Sequence, residues 1–161
     1  MSTQSAAHPT SLQNPAVPVT AQLAAAWTSF MFLYIYVDYL TLYKPGVVDD
    51  ILDGVVWEFE ITQTFAASAL ASVAVPILMI VLSATLPARV NRVLNLVVAV
   101  LYIPYSAFNL VGEQWLVYYG LGLGLELVLL GFIILAAWAW PRTTSVPSTG
   151  GPSTRRAQVT T

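Results

Sequence analysis

Two carboxyl side chains, Asp38 and Glu126, lie inside long apolar stretches of the chain, where an ionised group is expensive. Counting back from Lys44 places Asp38 roughly 9 Å inside the outer end of the first stretch, and Glu126 falls roughly 18 Å down the last one, near its midpoint. Carboxyls at such depths can bind and release a proton or hold a small polar ligand. They can equally act as polar pins that hydrogen-bond a neighbouring helix. Tyr119, Gly122 and Glu126 share one helical face at spacings of three and four. Tyr105 and Ser106 fall near the level of Asp38, and Tyr102 near that of Glu126. Gln63, Thr64, Asn109 and Tyr118 also lie in the outer half, whereas the inner half offers little beyond Ser83 and Asn95. The candidate proton- or ligand-binding set is therefore Asp38, Glu126, Tyr105, Tyr119, Gln63 and Asn109, in a pocket open to the outside and closed below by apolar packing. On ideal geometry the two carboxyls differ in depth by about 9 Å, so direct contact between them is not expected without a kink or register shift.

Other chemistry is sparse. The chain has no Cys, and its one histidine, His8, lies in a polar N-terminal stretch. Disulfides, thiolate metal sites and paired-histidine haem ligation are excluded. No phosphate-binding loop, HExxH helix or nucleophile elbow occurs, so no catalytic residue, cofactor or metal is expected. The acidic loop with Asp49, Asp50, Asp53, Glu58 and Glu60 lacks the ordered spacing and turn glycine of a calcium loop, and reads as a solvated face.

The elements that must position these residues are membrane spans. Hydrophobic residues make up 57% and charged residues 9% of the chain, with mean hydropathy +0.72, against about a quarter charged in soluble domains. Four apolar segments, about 23–43, 61–86, 90–111 and 114–140, each suffice for a spanning helix of about 20 residues. The expected fold is all-α: an antiparallel four-transmembrane-helix bundle over 22–140, with Pro76 and Pro104 kinking the second and third spans. Residues 1–21 and 141–161, rich in Ser, Thr, Pro and Ala or Gly, read as disordered tails. From Val47 to Phe59 apolar residues recur at helical spacing, which predicts a short amphipathic helix on the outer surface after the Pro45-Gly46 turn.

Five of the six basic residues (Arg89, Arg92, Arg142, Arg155 and Arg156) fall on one side, which the positive-inside rule makes cytoplasmic together with both termini. Arg89 and Arg92, clustered with Asn91 and Asn95, mark topology or meet lipid headgroups. Trp27, Tyr43, Trp57, Trp115, Trp138 and Trp140 lie near span ends, as interfacial belts do. The Ala/Ser run 66–74 and Gly120, Gly124 and Gly131 suit close helix packing, within the chain or in a homo-oligomer or a complex with another membrane protein. A net charge of −2 gives no reason to expect nucleic acid; the lipid bilayer is the expected partner.

The stretch from Met31 to Gly46, MFLYIYVDYLTLYKPG, resembles a signature of small four-helix bacterial membrane proteins known only as a domain of unknown function. Ile61-Thr-Gln63, Pro76 to Asn95 with Leu86-Pro87 and Asn91-Arg92, Glu126, and Trp138-Ala-Trp140-Pro141 extend the resemblance over roughly 25–141. It implies a four-helix protein of the bacterial cytoplasmic membrane in which Asp38 and Asn91-Arg92 are family features, and it implies no activity. The layout is also similar to that of DoxX-type four-helix proteins, a likeness of architecture. Two functions follow as alternatives: a module that takes up a proton or small polar ligand at the intramembrane carboxyls, or an assembly partner without a ligand. A membrane enzyme ranks third, since no nucleophile–base pair or metal set is visible.

Overall fold

The computed structural model describes residues 16–141; His8, Arg142, Arg155, Arg156 and nearly all of both expected tails lie outside them. Four long helices carry the chain: α1 (Val19–Thr41), α3 (Gln63–Thr85), α4 (Ala88–Phe108) and α5 (Leu116–Trp138). All four are long and apolar enough to cross a membrane. At 21 to 23 residues they measure about 32–35 Å, close to the hydrocarbon thickness of a bilayer. The fold is the expected all-α four-helix bundle.

Local chemistry sets where each helix begins and stops. α1 starts four residues earlier than predicted, inside the stretch read as a tail. Pro18 precedes it in an extended conformation, and Gln22 Nε2 donates to the Val17 carbonyl across the first turn. The Ala- and Gln-rich composition that resembles a tail is also that of a good helix. α3 is capped by Thr62, whose hydroxyl accepts from Phe65 N at 3.1 Å. Leu86 is extended ahead of Pro87, which ends α3 and opens α4 within two residues. Pro76 and Pro104 both lie within unbroken helices.

Between α1 and α3 the predicted amphipathic helix is shorter than expected. Only α2 (Val47–Leu52) is helical. Gly54, at φ +83°, stops it, and an antiparallel hairpin of β1 (Val55–Val56) and β2 (Phe59–Glu60) follows, pairing Val55 with Glu60 and Val56 with Phe59. The apolar residues that suggested helical spacing are β-branched and aromatic, types that pair as readily across strands.

In the bundle α1 packs on α3 and α5, and α4 on α5, while α3 and α4, although consecutive, approach one another much less closely. The core is concentrated at the end of the bundle where α3 turns into α4, the Arg89 end. There Leu23, Trp27 and Phe30 of α1 meet Met79, Val98, Tyr102, Leu130 and Ile133. Trp27, expected in an interfacial belt, is instead fully buried, edge-on to both Phe30 and Tyr102. Asn91 and Asn95 are also fully buried, not at the headgroup level where their arginine neighbours suggested. Of those neighbours, Arg89 is exposed and Arg92 lies 5.7 Å from the centre of the Trp138 ring.

One hydrogen-bond network explains these burials. Trp27 Nε1 donates to Asn95 Oδ1 (2.7 Å), which also accepts from Ser83 Oγ (3.1 Å). Asn95 Nδ2 donates to the side chain and carbonyl of Asn91, and Asn91 Nδ2 to the Ser83 carbonyl (2.6 Å). α1, α3 and α4 are thereby tied together with every amide group partnered, as a water-free interior demands.

Replacing Asn95 by Leu orphans the Trp27 and Ser83 donors together, so a loss of about 2–4 kcal/mol is expected. A fall in the thermal unfolding midpoint of the detergent-solubilised protein measures it; an unchanged midpoint contradicts the network's role.

Candidate functional site

At the opposite, hairpin end the bundle loosens. A small cavity of about 40 Å³ lies between α1, α4 and α5, with Asp38, Glu126, Ser106, Asn109, Tyr34 and Tyr119 contributing its polar groups and Val37, Leu110 and Leu123 its apolar ones. Of the candidate set, Asp38, Glu126, Asn109 and Tyr119 line this space. Tyr105 and Gln63 do not. Gln63 is exposed in the first turn of α3. Tyr105 donates to Ser72 Oγ (3.0 Å) and lies 3.4 Å from the Tyr34 hydroxyl, so it buttresses a cavity wall from behind.

Asp38 and Glu126 reach one cavity despite their separation along the bundle. Side chains on a helix lean toward its N-terminus. α1 runs toward the hairpin end and α5 away from it, so Asp38 leans down and Glu126 leans up. The opposite leans bring both side chains to the same cavity although their backbone positions differ by about 9 Å in depth. No hydrogen bond from another described residue reaches either carboxyl. Glu126 is only 4% exposed, whereas Asp38 keeps more than a third of its surface accessible.

Ser106, 1% exposed, faces the Glu126 carboxyl without closing a hydrogen bond. Its hydroxyl is the buried side-chain polar atom left without a partner among the described residues. The cavity beside it is roomy enough for a water or two, which would satisfy that hydroxyl.

The walls are held by bonds from α5 to the end of α1. Tyr118 donates to the Val37 carbonyl (2.7 Å), and the Tyr119 hydroxyl lies 3.3 Å from Thr41 Oγ. Gly122 makes the close approach possible: a Cβ there would stand 3.0 Å from Val37 Cγ2. Gly120, Gly124 and Gly131, expected to support packing, meet nothing within 4 Å in this way. The Ala/Ser run divides similarly, with Ala66, Ala67, Ser68, Ala69 and Ala71 exposed and Ser72 and Ala74 half-buried.

Above the small cavity opens a vestibule of about 250 Å³. It shares Asp38, Asn109 and Tyr119 with the cavity and adds Trp57, Phe108 and Glu113. Trp57 forms the hairpin tip at φ +54°, a conformation costly for a bulky side chain. Its ring stands edge-on to Phe108, with Gly112 below it. At the rim Lys44 Nζ donates to Glu113 at 2.6 Å and lies 5.6 Å from the Tyr119 ring centre. The hydrogen bond to Glu113 raises the Lys44 pKa above the ordinary lysine value, so the pair is intact at neutral pH. The acidic loop residues do not gather: no three carboxylates or His among the described residues come close enough to hold a metal ion.

Sequence reasoning did not include Tyr34 or Glu113 in the site, and read Trp57 only as an interfacial aromatic. Tyr34 carried a usable signal, since it precedes Asp38 by one helical turn on the same face. The backbone twist that aims Trp57 leaves no such trace.

The model of the family of unknown function DUF6326 matches residues 19–146, and the chain belongs to that family. No curated protein and no solved structure matches it.

Gly124→Ala should leave stability unchanged or raise it by up to about 1 kcal/mol, as helical Gly→Ala changes do in open space. Gly122→Ala should fall short of that because stiff Val37 must move. Equal midpoints for the two variants would contradict the close α1–α5 contact. The raised Lys44 pKa gives the ion pair a direction in pH: its stabilisation is complete below the unfolded lysine range and is lost as pH rises through the higher folded value. Unfolding midpoints of wild type and Lys44→Met should therefore differ at neutral pH and converge at alkaline pH.

Proposed function

We propose that this protein takes up a proton from the outer side of a bacterial cytoplasmic membrane and holds it between Asp38 and Glu126. One observation carries the reading: both carboxyls line a single cavity of about 40 Å³ in which the Ser106 hydroxyl is unpartnered. Two ionised carboxylates lining so small a space, one of them buried, repel one another, and a proton relieves the repulsion. The volume suits a proton with its hydrating water and is too small for an organic solute.

The groups facing the pair are few. Tyr34 of α1, Tyr119 of α5 and Asn109 and Ser106 of α4 surround it, with Glu113 in the vestibule already matched by Lys44. No cationic side chain lines the cavity. Below Glu126 Phe30, Leu130 and Ile133 pack as apolar core, and the Tyr102 hydroxyl among them is taken up by the Ser72 carbonyl. Proton exchange is thus one-sided, toward the vestibule, which favours a binding or sensing module over an open channel.

The direction rests on charge. Arg89 and Arg92 lie at the closed end, with Arg142, Arg155 and Arg156 following in the sequence beyond α5. Lys44 stands alone among the acidic residues of the hairpin end. Placing the arginines in the cytoplasm turns the vestibule outward and both termini inward. A second reading, self-association, draws on Gly120 and Gly124 of α5, beside which a Cβ would meet nothing within 4 Å among the described residues. Leu at both positions should dissociate such an oligomer in a sedimentation measurement.

Potentiometric titration of the solubilised protein tests the proton reading. Wild type should show two coupled proton steps, the upper one being the proton the pair shares, and in Asp38→Asn and in Glu126→Gln the remaining carboxyl should titrate at a different pH from either step. Single variants that each lose one step and leave the other unmoved would mean two independent carboxyls and would overturn the shared site.

A further inference from the structure

We infer that the vestibule above the carboxyl pair is a binding site for a small organic ammonium ion. The inference goes beyond the proton reading and touches it through the residues that line both spaces, Asp38, Asn109 and Tyr119, of which Asp38 alone is a carboxyl. At about 250 Å³ the vestibule is several times larger than the inner cavity and opens to the surface at the hairpin end.

Its lining has the two ingredients of ammonium recognition. Trp57, Phe108 and Tyr119 offer aromatic faces, and Asp38 and Glu113 offer carboxylates. Asp38 accepts no hydrogen bond from another described residue, so its carboxylate has no competing partner. Among the described residues no basic side chain lines the space, and Lys44 at its rim is already neutralised by Glu113, which disfavours an anionic guest.

The chain itself displays the recognition chemistry. The Lys44 ammonium is seated at the rim on Glu113 (2.6 Å) and over the Tyr119 ring (5.6 Å). A primary ammonium thus already occupies one carboxylate and one aromatic face of the site, tethered by its own backbone. A free ammonium ion in the vestibule meets the remaining pair, Asp38 and Trp57. The backbone at Trp57 points the same way. An indole at φ +54°, where glycine is the favoured residue, is a sustained cost for holding that ring at the mouth.

A cation beside Asp38 and a proton on it are mutually exclusive forms of charge neutralisation. Ammonium binding therefore expels the proton, and no other reactant is needed: the ammonium enters, the proton leaves to solvent, and the charge of the site is conserved.

Choline serves as the probe, with its neutral carbon analogue (a quaternary carbon in place of nitrogen) as the control. Calorimetric titration of the full chain in detergent should show saturable choline binding, and the analogue should bind at least about tenfold more weakly, the equivalent of roughly 1.4 kcal/mol. Asp38→Asn and Trp57→Leu should each weaken choline binding by a similar factor. Lys44→Met, which vacates Glu113 and the Tyr119 face, should tighten it, a gain that misfolding cannot mimic. Equal affinity for choline and the neutral analogue, or no saturable binding of choline, overturns the inference. Loss of choline binding with the shared proton step intact refutes this site alone. Choline binding that persists in a protein with no shared proton step refutes the proton reading alone.

Discussion

Within a bilayer a polar group between helices has no water to turn to, so it is either partnered by the protein or left as a site for something else. The buried amide network meets the first condition at the Arg89 end. Asn95 sits at its centre, receiving Trp27 and Ser83 on its oxygen and giving both amide protons to Asn91. Because it joins three helices, it fixes their register. It also draws Trp27 into the core, where the indole becomes the edge against which Phe30 and Tyr102 pack. That closed end leaves the other end free to open.

The opening is graded. Aromatic and hydroxyl contacts continue up the bundle, with Tyr102 donating to the Ser72 carbonyl and Tyr105 to its hydroxyl, so α3 and α4 are bridged by side chains where their backbones stand apart. Above that level Tyr118, Tyr119 and Lys44 still tie the walls, while the cavity keeps polar groups without protein partners among the described residues. Ser106 is buried and unpartnered, Glu126 is buried beside it, and Asp38 looks out into the vestibule. A fully satisfied base and a less satisfied upper chamber are two outcomes of one rule, and the contrast between them is the reason for placing the proposed site in the chamber.

Hydropathy made the four spans and their antiparallel order legible, because helices that cross a bilayer must be continuous apolar runs. Asp38 and Glu126 stood out for the converse reason. Their depth difference left open whether they share a space, since rise per residue follows backbones and ignores the opposite lean of side chains on antiparallel helices. Trp27 and Asn95 each read as interfacial alone; only their pairing across 68 positions makes them core. The hairpin was hidden because valines and aromatics spaced for a helix also suit two short strands, and the φ of Gly54 decided between them. Gly122 could not be told from its neighbours Gly120 and Gly124, because which glycine faces α1 depends on how α5 is rotated.

The central claim is that Asp38 and Glu126 act as one group. Infrared difference spectroscopy of the protonated carboxyl C=O band, followed across pH in wild type and in Asp38→Asn, tests it most directly. A shared cavity requires the remaining Glu126 band to shift its titration once its partner can no longer ionise. A Glu126 band that titrates identically in the two proteins would contradict the account.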